Sequence, residues 1–181
     1  MEYNLRRGGN KMNQSFSTIF PWGEETHFVE KLWRMALNES KFSQNDLYDY
    51  GIKYFVQFKR SFDDPMNYNP KLHTIRGISN RYKVRQLQQP FIWTGKPYKE
   101  PIFRFMPLLP LISKQKIEII WLKRLGKFGR IPFVIIDGKL KRFSVIEKLA
   151  KNDGFDSIQY FFEWFNKDFE GEIRHYTDLK Y

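Results

Sequence analysis

The sequence predicts an α+β fold, in the form of a small closed or partly closed β-barrel flanked by about four helices. Apolar residues recur at helical spacing in four segments, while short runs rich in Ile, Val, Phe and Trp are separated by turns that contain Pro and Gly. The strands do not alternate regularly with the helices, which argues against a doubly wound parallel sheet. With 181 residues the chain fits one domain.

The first part of the chain predicts a flexible arm and two helices. Residues 1–15 are polar and contain Gly, a composition typical of a flexible N-terminal arm. The apolar spacing from Phe28 to Ala36 predicts a first helix, with Thr26 as its N-cap. A second helix is expected from Gln44 to Arg60, because an aromatic stripe follows the helical period there.

The second part of the chain predicts strands joined by turns. The basic, Gly-containing run 123–130 reads as a long hairpin loop, and Asp137-Gly138 is typical of a tight turn. The predicted strands are Phe91–Trp93, Pro101–Phe105, Lys116–Leu122, Phe133–Ile136 and Glu172–Tyr181.

Two helices are expected between the last strands. Ser144 and Glu147 have the spacing of a capping box, and Gly154 suits the position just after the helix end. A second short helix is predicted from about Asp156, with Gln159 in its first turn.

Composition restricts the classes of function. The formal net charge of +11 favours polyanionic partners such as RNA, DNA or an acidic membrane surface. The absence of Cys excludes disulfides, Cys-ligated zinc and thiol nucleophiles. The three His residues have no metal-ligand spacing, and the common nucleotide-binding, hydrolase and zinc-protease motifs are absent, so neither a metal nor a cofactor is expected. No apolar leader or membrane-spanning run is visible, which favours a soluble cytoplasmic protein without a membrane partner.

The residues that could perform chemistry are concentrated in the segment Lys71-Leu72-His73-Thr74-Ile75-Arg76. If the segment is extended, Lys71 and His73 share one face and Thr74 lies on the other. A Lys of lowered pKa can activate a hydroxyl that it reaches. Lys71 can act on Thr74 in this way only if the backbone around His73 is bent.

Several separated motifs, in order, resemble those of the ASCH domain family, which is related to PUA domains. The segment 71–76 is similar to the K-x-x-T-I-R signature of that family, and the similarity is closest to versions found in bacteriophages and Bacteroides-type genomes. The resemblance covers about residues 16–181 and extends through Phe20-Pro21-Trp22-Gly23-Glu24, Asn80-Arg81-Tyr82-Lys83, Trp93-Thr94-Gly95-Lys96-Pro97-Tyr98 and the tail from Leu149 to Leu179.

The resemblance implies a single PUA-like β-barrel domain over residues 16–181, with a helical insertion around 38–70 and a cleft beside the K-x-x-T-I-R segment. It implies binding of RNA or a modified nucleoside. The residues expected to contact that ligand are Trp22, His73, Arg76, Arg81, Lys83, Trp93 and Lys96.

One branch of the family is a small amidohydrolase that deacylates N4-acetylcytidine with a Lys, a Thr and a Glu. The resemblance places the Lys on Lys71 and the Thr on Thr74, while the Glu position is occupied by Asp153, whose side chain is one methylene shorter. Catalysis by Lys71, Thr74 and Asp153 is therefore an alternative to binding alone. A third alternative is a phage or mobile-element protein that binds another protein through aromatic surface residues.

Overall fold

The strands of the protein form two separate sheets. The structure is a computed structural model that describes residues 11–123 and 129–181. In chain order its strands are β1 (Met12–Ser15), β2 (His73–Gly77), β3 (Leu87–Trp93), β4 (Ile102–Phe103), β5 (Leu109–Pro110), β6 (Ser113–Lys123), β7 (Arg130–Ile136), β8 (Lys139–Leu140) and β9 (Phe169–His175).

The larger sheet is antiparallel and has the order β2-β9-β6-β7-β8. In the smaller sheet β3 pairs with β1 in parallel and with β4 and β5 in antiparallel orientation. The predicted α+β class is confirmed. The predicted closed barrel is not confirmed, because the strands of the described segments belong to two sheets.

Four α-helices surround the sheets within the described residues. They are α1 (Phe28–Asn38), α2 (Gln44–Phe58), α3 (Phe143–Asn152) and α4 (Ile158–Trp164), and a short 3-10 turn spans Pro65–Asn67. The predicted segment around 38–70 therefore contains α2 and the 3-10 turn.

The helix ends follow local chemistry, although two predicted caps differ. The N-cap of α1 is His27 in a left-handed conformation, and the Thr26 hydroxyl accepts a hydrogen bond from the Phe28 amide instead. The capping box expected at Ser144 and Glu147 is wrong, because α3 begins one residue earlier, at Phe143, and has no side-chain cap. A capping box does form at α2, between Ser43 and Asp46.

The last part of the predicted arm belongs to a sheet. Met12–Ser15 pair in parallel with Gln88–Phe91, and the Gln14 side chain is buried. Residues 1–10 of the predicted arm and residues 124–128 of the predicted hairpin loop lie outside the described residues. The hairpin itself is present, since β6 and β7 pair from Ile117 with Ile136 to Lys123 with Arg130. The tight turn Asp137-Gly138 joins β7 to β8, and both residues have positive φ, as a type I′ turn requires.

One hydrophobic core joins helices and sheets. Helix α1 contributes Leu32 and Trp33, and the larger sheet contributes Ile117, Val134 and Ile173, all fully buried. Burial of a side chain of this size contributes about 1.5–3 kcal/mol of hydrophobic free energy. The core thus fixes the larger sheet relative to α1.

No helix in the described segments is long and apolar enough to cross a membrane.

The end of α3 allows a first prediction. Gly154 has φ of +88°, and an added Cβ would lie 3.1 Å from Phe28 Cε1 and 3.3 Å from Lys71 Cδ. We expect Gly154→Ala to lower the free energy of unfolding by about 2–4 kcal/mol, from backbone strain plus crowding. Gly138→Ala is the matched control, because φ is +73° there and no atom lies within 4 Å. Urea unfolding of both variants measures the difference; equal losses would show that crowding at Phe28 and Lys71 contributes nothing.

Candidate functional site

Strand β2 divides the candidate residues between two faces of the larger sheet. Its backbone is extended from His73 to Gly77, and each residue pairs with β9 in regular register, His73 with His175 and Thr74 with Arg174. Side chains alternate along such a strand, so His73 and Thr74 point to opposite faces. The backbone bend that a joint action of Lys71 and Thr74 requires is therefore absent from this strand.

Lys71 forms a buried ion pair with Asp153. The Lys71 ammonium donates hydrogen bonds to Asp153 Oδ1, at 2.7 Å, and to the backbone oxygen of Asp153. It also lies 4.3 Å from the centre of the Phe28 ring. Lys71 is 1% exposed and Asp153 4% exposed, so the pair is removed from water. Two members of the predicted catalytic set are brought together, while the hydrogen bonds of Lys71 within the described residues do not include Thr74.

The end of α3 positions the Asp153 carboxylate. Asp153 is the C-cap residue, and the left-handed Gly154 turns the chain away directly after it. The terminal carbonyls of a helix lack partners within the helix and carry partial negative charge. Here two buried lysines serve them: Lys71 donates to the oxygen of Asp153, and Lys31 donates to the oxygen of Gly154 at 2.9 Å.

Burial and charge shift the pKa values of this pair. Burial lowers the pKa of Lys71 to about 8, although the charge of Asp153 acts against it. Burial alone would raise the pKa of Asp153, but the charge of Lys71 and the contact with His73 outweigh it and hold that pKa below its usual range. Both groups are therefore mainly charged at neutral pH, and Lys71 loses its proton more readily than an exposed lysine does.

A polar network extends from Asp153 toward Tyr181. His73 Nδ1 lies 3.5 Å from Asp153 Oδ1, and its Nε2 lies 2.7 Å from the Tyr181 hydroxyl. Asn152 donates to the same hydroxyl at 2.9 Å. Beside it His175 is fully buried with neither ring nitrogen paired, and burial lowers its pKa to about 3. This side of β2 therefore holds uncharged imidazoles around one ion pair.

The other face of β2 carries charged groups that meet β9 and β6. Arg174 donates to Glu172 Oε1 and to Gln14 Oε1, each at 2.7 Å, and its guanidinium lies 3.6 Å from the centre of the Tyr82 ring. Lys114 binds the other oxygen of Glu172. We call the side of the larger sheet that carries Thr74, Arg76, Lys114, Glu172 and Arg174 the polar face; Thr74, Glu172 and Arg174 are buried there.

Two buried donors near the polar face have no acceptor within residues 11–123 and 129–181. Arg76 donates to the oxygen of Ser15 at 2.5 Å, but its Nε is buried without a partner. Gln88 is fully buried; its Oε1 accepts from the Tyr176 hydroxyl at 3.2 Å, and its Nε2 is unpaired. A buried group without a partner costs about 1–3 kcal/mol.

Tyr176 links Gln88 electrostatically to the two arginines. Burial raises the pKa of Tyr176, and the positive charges of Arg76 and Arg174 act against this rise. The hydroxyl that bonds Gln88 therefore lies within the electrostatic reach of both guanidinium groups.

The loop between β2 and β3 brings exposed positive charge to the edge of the polar face. Arg81, Lys83 and Arg85 are exposed. Lys114 donates to the oxygens of Ser79 and Tyr82, at 3.3 Å and 3.0 Å, and therefore holds the loop. We call Arg76 together with the exposed Arg81, Lys83 and Arg85 the basic loop region. Three of the predicted binding residues, Arg76, Arg81 and Lys83, therefore belong to one region.

Trp22 lies in a different place. It stacks on Phe20 at 4.6 Å and lines an open groove of about 620 Å³ together with Trp121 and Phe162. Phe20 in turn packs edge-on against Phe28, so one aromatic ring separates Trp22 from the ring under Lys71.

Trp93 and Lys96 form a third location. Trp93 ends β3 and packs against Tyr98 at 5.2 Å, and Lys96 is exposed in the turn that follows. His73 occupies a fourth location, the buried network beside Asp153 and Tyr181. The predicted ligand-binding residues are therefore distributed over four locations rather than gathered in one cleft.

Sequence reasoning missed the residues that complete both faces of β2. Gln14, Gln88, Arg174 and Tyr176 were not singled out, and neither was Tyr181. One signal was present: Glu172, Arg174 and Tyr176 alternate along β9 with Ile173 and His175, which is the pattern of a strand with one polar face. No local pattern indicates the partners in β1 and β3, because they are distant in sequence.

The described residues contain no group of three or more His, Cys, Asp or Glu side chains that could hold a metal ion. Comparison with known proteins gave no match to any family model, curated protein or solved structure. The ASCH resemblance therefore stays a prediction, and the candidate site is assessed on its geometry.

The buried ion pair gives the second prediction. Lys71→Met leaves the Asp153 carboxylate buried without its partner, and Asp153→Asn leaves the ammonium unpaired, so each should lower the free energy of unfolding by about 3–5 kcal/mol. The double variant buries no unpaired charge, and its loss should be smaller than the sum by at least about 1 kcal/mol. Chemical unfolding of the four proteins measures this coupling. Lys116→Met, which removes an exposed ion pair with Glu118 and Glu170, is the control and should have little effect. Additive losses would contradict the coupling.

Proposed function

We propose that this protein binds RNA or a modified nucleoside at the polar face and the basic loop region. The observation that carries the proposal is the unpaired, buried donors of Arg76 and Gln88 near a loop with exposed Arg81, Lys83 and Arg85. Exposed cations attract the phosphates of a nucleic acid, and donors without acceptors match the carbonyl oxygens of a base or the oxygens of a phosphate.

The charge balance of this region supports an anionic ligand. Glu172 is a nearby carboxylate, but it is buried and shared between Arg174 and Lys114. Arg81, Lys83 and Arg85 are left to face the solvent. Phosphate contacts of this kind supply affinity and orientation without sequence selectivity.

The loop is held in place before any ligand arrives. The Arg85 amide donates to the oxygen of Leu111 at 2.7 Å, and the Lys83 amide donates to Gln86 Oε1 at 2.9 Å. The Tyr82 hydroxyl donates to the oxygen of Asn13 at 2.8 Å. A loop tied at several points loses less conformational entropy on binding, which favours affinity.

Titration of labelled single-stranded RNA tests the proposal. The triple variant Arg81→Ala, Lys83→Ala, Arg85→Ala should weaken binding at least about tenfold at low salt. It should also reduce the salt slope by about two, since each lost phosphate contact removes about 0.7 from that slope for single strands. Fluorescence anisotropy between about 50 and 200 mM salt gives both quantities.

A charge-matched variant separates local from overall charge. Lys59→Ala, Lys139→Ala, Lys148→Ala removes three exposed positive charges from other parts of the described surface. This control should bind nearly as wild type does. Equal losses in the two triple variants, or no binding of the wild type to single-stranded or structured RNA at low salt, would contradict the proposal.

Gln88→Met should weaken binding with an unchanged salt slope, because Gln88 carries no charge.

The ion pair supports a second candidate function, deacylation of an N4-acylated cytidine. Lys71 has the lowered pKa that a general base needs, and it holds a carboxylate at 2.7 Å. In this reaction the neutral amine of Lys71 takes the Thr74 proton, and the Thr74 oxygen attacks the amide carbonyl. Lys71 then passes that proton to the leaving amine, and the Asp153 carboxylate assists by stabilising the Lys71 ammonium. Water then hydrolyses the acyl ester, which releases acetate and the free hydroxyl. Thr74 must turn from the polar face toward Lys71 for this sequence to occur.

Acetate release from N4-acetylcytidine tests the second candidate, and its pH dependence has a definite sign. The base form of Lys71 increases as the pH rises through about 8, so the rate should rise over that range and level off above it. Thr74→Ser should retain part of the activity, and Thr74→Val, which has a similar volume and no hydroxyl, should have none. Activity in Thr74→Val, or no release of acid from any of several N4-acyl cytidines, would contradict deacylation by these residues.

A further inference from the structure

Helix α2 exposes an apolar stripe on its outer side. Tyr48, Ile52, Phe55 and Val56 are 70%, 48%, 53% and 61% exposed. Their spacing of four, seven and eight residues places them on one face of the helix. We call these four residues the outer stripe. Contiguous exposed apolar surface of this kind is uncommon on a monomer and marks an interaction site.

The outer stripe does not arise from a loosely attached helix. On the opposite side of α2, Tyr54 is buried and packs against Phe103 at 5.8 Å, while Tyr50 packs against Trp33 at 5.7 Å. The Phe58 ring lies 5.3 Å from Phe103. The inner face of α2 therefore attaches the helix to the core, and the outer stripe remains exposed to solvent.

A shallow groove lies beside the outer stripe at Gly51. It has a volume of about 350 Å³ and is lined by Leu47, Gly51, Phe62 and members of the outer stripe. Glycine in a helix interior costs about 1 kcal/mol relative to alanine. Packing within the described chain does not demand glycine there, since an added Cβ would meet only Phe62, at an ordinary 3.9 Å. A second helix that crosses α2 closely at the level of Gly51 would leave no room for a larger side chain there, and would therefore require glycine.

The charges along α2 indicate which helix can cross it. Asp46 and Asp49 lie in the first half, and Lys53 and Lys59 lie in the second half or just beyond it. Two copies of α2 in antiparallel orientation bring the acidic half of each against the basic half of the other. Parallel copies would place like charges together, so the helix is complementary to itself in one orientation only.

We propose that this chain forms a twofold symmetric homodimer through antiparallel contact of the outer stripes of two α2 helices. With the axis at the level of Gly51, Asp49 of one copy lies opposite Lys53 of the second copy, and the two Ile52 side chains are adjacent. Tyr48 of one copy then lies beside Phe55 of the other. A twofold contact uses the same patch on both chains, which agrees with a stripe that is both apolar and complementary to itself in charge.

Sedimentation velocity over about a hundredfold range of concentration tests the dimer. The wild type should shift from monomer to dimer as concentration rises. Ile52→Glu, which places a carboxylate at the centre of the contact, should raise the dimer dissociation constant at least about thirtyfold. Circular dichroism checks that the exposed substitution leaves the fold intact. A protein that stays monomeric, or one whose association is unchanged by Ile52→Glu, overturns the proposal.

A charge-exchange pair tests both the partner and the orientation. Asp49→Lys makes both members of the Asp49–Lys53 contact basic, and Lys53→Asp makes both acidic, so each variant alone should dimerise more weakly than the wild type. Mixed together they should form heterodimers, which native mass spectrometry separates from homodimers by mass. Glu147→Lys and Lys148→Asp, the equivalent changes on the exposed side of α3, should leave the wild-type equilibrium unchanged. Failure of the mixed variants to associate overturns the antiparallel homodimer.

Discussion

The ion pair between Lys71 and Asp153 is the constraint on which the arrangement of β2, α3 and α1 depends. Two charges held out of water are costly unless other contacts compensate for them. Here the ammonium also caps the end of α3 through a backbone oxygen and lies over the ring of Phe28 in α1. The Lys71 amide donates to the oxygen of Lys31, another α1 residue, at 2.9 Å. Because Lys71 is held by both α3 and α1, the start of β2 is fixed relative to these two helices, and the residues that follow continue from that position.

In this register the two faces of β2 have different roles. On the side of His73 both imidazoles are buried and uncharged, and His73 bonds Tyr181, so this side stabilises the fold. On the side of Thr74, Arg76 Nε and the nearby Gln88 Nε2 have no partner within the described residues, so this side retains donors for a ligand. A strand with period two achieves this separation without any additional element. The same separation is what makes the deacylation hypothesis demanding, since its nucleophile and its base begin on opposite faces.

Local patterns predicted the helices, the β6–β7 hairpin and the turn at Asp137 and Gly138, because each depends on neighbours in sequence. The two-sheet arrangement and the parallel pairing of β1 with β3 could not be predicted in this way, since alternation along a strand does not specify its partner. The predicted cap of α3 failed for a related reason: the N-cap is Arg142, two residues before the predicted Ser144, so Ser144 lies inside the helix. The proximity of Lys71 and Asp153 was suggested by the family resemblance alone. The network around His175 had no signal, because its members come from distant segments.

The bond between Gln14 and Arg174 has a consequence for the order in which the protein matures. These residues are 160 positions apart, so the polar face joins the first described strand of the chain to the last. Chains fold as they leave the ribosome, N-terminal segments first. Arg81, Lys83 and Arg85 therefore emerge, and attract polyanions, well before β9 supplies Arg174 and Tyr176. During synthesis the nascent chain therefore attracts polyanions before its polar face is complete.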